Sequence, residues 1–76
     1  MTKRKIIAHL SLGEAEAVQE AIMQRLNCLY NEESKETMID MYEEVKDSIR
    51  ALDELGYMFQ AGYMAHEYEK LTGVKV

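Results

Sequence analysis

The side chains best able to do chemistry in this chain are its carboxylates, one cysteine and two histidines. The carboxylates crowd into "ETMIDMYEEVKD", residues 36–47, where Glu36 and Asp40, Asp40 and Glu44, and Glu43 and Asp47 stand four apart. On a helix such residues are neighbours, and each like-charged pair costs roughly 0.2–0.5 kcal/mol. Acids on a helix surface, with no base, metal or cleft to act with, do no acid–base work. The same holds for Asp53 and Glu54 and for Glu67 and Glu69. Carboxylates repeating about every turn, roughly 5 Å apart, imitate instead the phosphate array of nucleic acid and can occupy a basic groove. Glu36, Asp40, Glu43, Glu44 and Asp47 therefore carry two readings. They form a solvated face that keeps a small protein in solution, or a partner-binding acidic face.

The remaining candidates are weaker. Cys28 is the only cysteine, so it closes no bridge within the chain, and no Cys–His pattern supplies the base a thiol nucleophile requires. Its simplest reading is a small, half-buried hydrophobe. His66 opens "HEYEK", which lacks the second histidine of a helical zinc motif, and His9 and His66 without further ligands make no metal site. The expectation is a protein that is not an enzyme and needs no metal or cofactor.

Charge narrows the partners. The formal net charge is −5, and residues 32–54 hold nine acids against three bases. Such a surface repels nucleic acid and anionic membrane and attracts basic proteins. The basic triplet Lys3-Arg4-Lys5 is too short to reverse this. No segment has the length of a signal or membrane span, and a free cysteine suits the cytoplasm.

The elements that position these residues follow from periodicity. "KIIAHLSL", residues 5–12, alternates, so Ile6, Ala8, Leu10 and Leu12 share one face of an expected β-strand. Ser11 and Glu14 then form a capping box, and Ala15, Val18, Ile22, Leu26 and Leu29 give a first helix its core stripe. "NEES", residues 31–34, is a short link suited to an antiparallel helical hairpin. Glu32, Glu33 and Glu36 stand near the next helix N-terminus, where negative charge is favoured; Asp40, Glu43, Glu44 and Asp47 lie too far along to share that benefit.

Met38, Tyr42, Val45, Ile49, Leu52, Gly56, Phe59, Tyr63 and His66 then alternate in steps of four and three, the pattern of a coiled-coil seam. Gly56 is suited to end a helix over 35–55, with another over 58–71; with no proline present, one continuous helix is the alternative. Gly73 stops the last helix.

Seventy-six residues make one small domain, with a flexible basic start over 1–4 and an extended tail over 74–76. The expected fold is mainly α with one N-terminal β-strand, a helical hairpin and a third helical segment. A chain this short gains most from self-association. A lone strand also needs a partner, and a homodimer through Ile6, Ala8, Leu10, Phe59 and Tyr63 supplies one. Tyr57, Met64 and Tyr68 fall off the seam and offer an alternative apolar binding face. The leading functional expectation is a small acidic protein that inhibits or regulates a partner, in its sharpest form a DNA mimic on a DNA-binding protein. The alternative is a helical assembly or adaptor module.

Overall fold

The computed structural model describes residue 6 and residues 8–76. The chain forms four helices: α1 (Leu12–Glu32), α2 (Lys35–Asp40), α3 (Tyr42–Glu54) and α4 (Met58–Thr72). Among the described residues there is no strand, which overturns the mixed fold expected above. Ile6, Ala8 and Leu10 lie in irregular chain, and Leu12 already belongs to α1. The alternation was cut short because Ser11 caps a helix: its hydroxyl accepts from the Glu14 N–H at 3.1 Å, and the Glu14 carboxylate accepts from the Ser11 N–H at 2.8 Å. The tail offers no partner strand either. Val74 and Val76 pack on the core instead. The remaining residues of the expected strand and the basic start, 1–5 and 7, lie outside the described residues.

Ser34 caps α2 through the Thr37 N–H, as the polar link suggests. The helix expected over 35–55 is instead two, bent at Met41, where φ is −93° and ψ is 18°. Neither glycine nor proline stands there. The cause comes from the far end of the chain: the Tyr68 hydroxyl donates to the Met38 carbonyl at 2.7 Å, which also takes the Met41 N–H at 3.2 Å. A side chain inserted into the ladder of backbone bonds is a known source of kinks. Gly56 does end α3, at φ +97°, and Gly73 ends α4 at φ +78°.

The core consists of Leu26 from α1, Met38 from α2, Val45, Ile49 and Leu52 from α3, and Ala61, Met64 and Tyr68 from α4. Tyr68 is fully enclosed, with the rings of Tyr30 and Tyr42 tilted against it at 6.1 and 6.3 Å. Arg25, Leu26 and Leu29 share a small cleft with Met41, Glu44, Val45 and Ser48, so the second half of α1 lies against the first half of α3. Only the second half of α1 is anchored. Ile22, Met23, Leu29 and Tyr30 pack on the core, whereas Leu12 and Val18 remain exposed.

Candidate protein-interaction surface

The bend at Met41 changes what the acids are. Glu36 and Asp40 belong to α2; Glu43, Glu44 and Asp47 belong to α3, so Asp40 and Glu44 are no longer a pair along one helix. The bend also creates a new N-terminus. Glu43 and Glu44 stand in the first turn of α3, where the helix dipole favours negative charge. Each has a basic partner as well. The Arg25 guanidinium of α1 binds Glu44, and Lys46 approaches Glu43 at 3.3 Å while lying 5.7 Å from the centre of the Tyr42 ring. These pairs are exposed and each contributes at most about 1 kcal/mol. They suffice to account for acids that the unbent helix left unexplained. Glu36 and Asp40 are exposed and form no ion pair among the described residues.

The aromatic residues are redistributed more sharply. Because α3 stops and α4 restarts at Met58, the seam loses its phase at Gly56. Met38, Val45, Ile49 and Leu52 are buried, but Phe59 is 84% exposed and Tyr63 51%. Met64 and Tyr68, expected to stand off the seam, are fully buried and cannot form an open binding face. Tyr57 is half-buried, and its hydroxyl is enclosed without a hydrogen-bond partner. The Tyr30 hydroxyl, near the end of α1, donates to the Met64 carbonyl at 3.0 Å. Burial pushes the phenols of Tyr30 and Tyr68 above the ordinary tyrosine range.

The open face of α4 thus consists of Phe59, Gly62, Tyr63, His66, Glu69 and Lys70, opposite the buried Ala61, Met64, Tyr68 and Thr72, and Lys70 pairs with Glu67 of the same helix at 3.6 Å. Met58 borders it, 69% exposed. Residues 55–66, "LGYMFQAGYMAH", contain no Asp, Glu, Lys or Arg, the longest such run in the chain. A signal for this surface was available in that run, since the acids and bases that normally cover an exposed helix face are missing.

Cys28 is exposed, not half-buried. His66 is exposed on α4 and His9 lies in the irregular segment before α1. Among the described residues no three His, Cys, Asp or Glu side chains gather as a metal site would require, and no helix is long and apolar enough to cross a membrane. In comparisons with family models, curated proteins and solved structures, nothing matches this chain.

Proposed function

We propose that the protein is a non-enzymatic helical interaction module, an assembly or adaptor unit that docks through the open face of α4 around Met58, Phe59 and Tyr63, within the charge-free run of residues 55–66. One observation carries this reading. Phe59, Tyr63 and Met58 stand in water on a stretch free of charged side chains, although the core is already filled from the opposite side of the same helix. Clustered exposed apolar side chains of this kind mark binding surfaces. The acids of α3 form a solvated neighbour to this face, and an exposed free thiol at Cys28 suits the reducing cytoplasm.

The competing reading, an acidic inhibitor on a basic nucleic-acid-binding surface, rests on Glu36 and Asp40 together with the acids of α3. The two separate by salt dependence. Immobilised wild type, Phe59→Lys and Glu43→Gln/Glu44→Gln should be compared for retained proteins at low and high ionic strength. Apolar docking predicts partners that survive high salt and disappear with Phe59→Lys alone. Partners lost at high salt and with the glutamine variant would replace this reading with the acidic one.

A further inference from the structure

We propose that the Tyr68 hydroxyl is a latch that holds residues 35–54 bent at Met41, away from a second state in which α2 and α3 run on as one helix. This goes beyond the docking reading and concerns the buried side of α4. The sequence across the bend is helical throughout. From Lys35 to Glu54 there is no glycine or proline. The buried Met38, Val45, Ile49 and Leu52 follow one another in steps of seven, four and three, which share one face of a single helix. Met41 alone separates α2 from α3, and its ψ of 18° lies about 60° from the helical value.

The two states compete for one atom, the Met38 carbonyl oxygen. In an uninterrupted helix that oxygen accepts the Tyr42 N–H. In the bent chain it accepts the Tyr68 hydroxyl at 2.7 Å and the Met41 N–H at 3.2 Å. Tyr68 is fully buried, so returning this carbonyl to Tyr42 would strand a phenol hydroxyl in the core. A phenylalanine ring in the same place has no hydroxyl to strand.

The bend also decides what the acids can form. While it holds, Asp40 ends α2, and Glu43 and Glu44 lie in the first turn of α3, with Arg25 on Glu44 and Lys46 beside Glu43. In one straight helix Glu36, Asp40 and Glu44 would stand one above another in steps of four, with Glu43 and Asp47 alongside. That is the repeating array of carboxylates suited to a basic groove. The latch keeps this array disassembled, and repulsion between Asp40 and Glu44 opposes straightening as well.

Nuclear magnetic resonance reads the bend at two places, the Cα of Met41 and the amide of Tyr42. In wild type the Met41 shift should be non-helical and the Tyr42 amide should exchange readily with solvent. Tyr68→Phe keeps the ring and removes the latch, so the Met41 shift should become helical and Tyr42 exchange should slow about tenfold. Glu44→Lys works from the surface with Tyr68 intact. It breaks the Arg25 pair, sets a cation at the N-terminus of α3 and gives Asp40 an opposite charge four residues on, and should slow Tyr42 exchange about threefold. A helical Met41 with a protected Tyr42 amide in wild type would overturn the latch. So would a folded Tyr68→Phe that matches wild type at both places. If Tyr68→Phe does not fold, Glu44→Lys decides: slowed exchange with a Met41 shift moved toward helical supports the two states, and unchanged exchange overturns them.

Discussion

α3 and α4 are neighbours of similar length, 13 and 15 residues, yet they treat their outer faces in opposite ways. α3 buries Val45, Ile49 and Leu52 and turns Glu43, Glu44, Asp47 and Arg50 to solvent. α4 buries Ala61, Met64, Tyr68 and Thr72 but turns Phe59, Tyr63 and His66 outward, with Lys70 the only cation on that stripe. One helix has a single apolar stripe; the other has two. Both contribute to the same core, and Phe59 and Tyr63 of the second stripe stand outside it.

The sharpest way to break that comparison is to delete one side chain from each stripe. Tyr68→Ala removes the enclosed ring and its hydrogen bond to Met38 and should cost about 3–5 kcal/mol, as large aromatic deletions do. Phe59→Ala, on the open stripe, should change stability by less than about 0.5 kcal/mol. Denaturant melts at low protein concentration measure both. Similar losses at the two sites would mean that the outer stripe is packed and the contrast between faces is false.

The glycines sharpen it next. Gly56 holds φ at +97°, so Gly56→Ala should destabilise by about 1–2 kcal/mol through backbone strain alone, with nothing near enough to clash. Gly62 sits inside α4 with open space around it, so Gly62→Ala should stabilise the monomer by roughly 0.5–1 kcal/mol. Opposite signs in two melting curves are the expected outcome.

A modest effect, with a dependence on pH, belongs to the first turn of α1 and its cap. Ser11→Ala should cost about 0.5–1 kcal/mol by loss of the cap. Hydrogen bonds from Ser11 hold the Glu14 carboxyl below its ordinary range. A depressed carboxyl pKa stabilises the fold above its unfolded value, and that contribution fades as pH falls through the folded one. Stability of Glu14→Gln should accordingly lose part of its rise from acid to neutral pH, measured by thermal melts across that interval.

Local signals were legible in the sequence, and distant ones were not. The capping box at Ser11 and the stops at Gly56 and Gly73 are written in adjacent residues and appear in the fold, while the link expected over residues 31–34 shrinks to 33–34 because α1 runs to Glu32. The bend at Met41 depends on a hydroxyl 30 positions downstream of Met38, which no local pattern announces. The seam misled for a related reason. Its spacing continues through Gly56, but a turn resets the helical phase, so Phe59 and Tyr63 exchanged places with Met64 and Tyr68. The expected strand failed because alternation over a few residues lost to a helix cap. Of the acidic face, the residues were legible and their partner Arg25, on another helix, was not.

The packing of Tyr30 and Tyr42 on Tyr68 has a spectroscopic consequence. The chain has five tyrosines and no tryptophan, so every near-ultraviolet signal of its indole-free chromophores comes from these rings or from Phe59. Three of them are held at fixed tilts inside the core, and their circular dichroism reports whether the fold is intact. Tyr63 stands in solvent on α4, and its emission reports whether that face is covered. In alkali the raised phenols of Tyr30 and Tyr68 oppose ionisation in the folded state, so stability is full below the ordinary tyrosine range and declines as pH rises above it. Unfolding of the core and any covering of the outer face of α4 can thus be followed in one unlabelled sample by two optical signals, one from the enclosed rings and one from Tyr63.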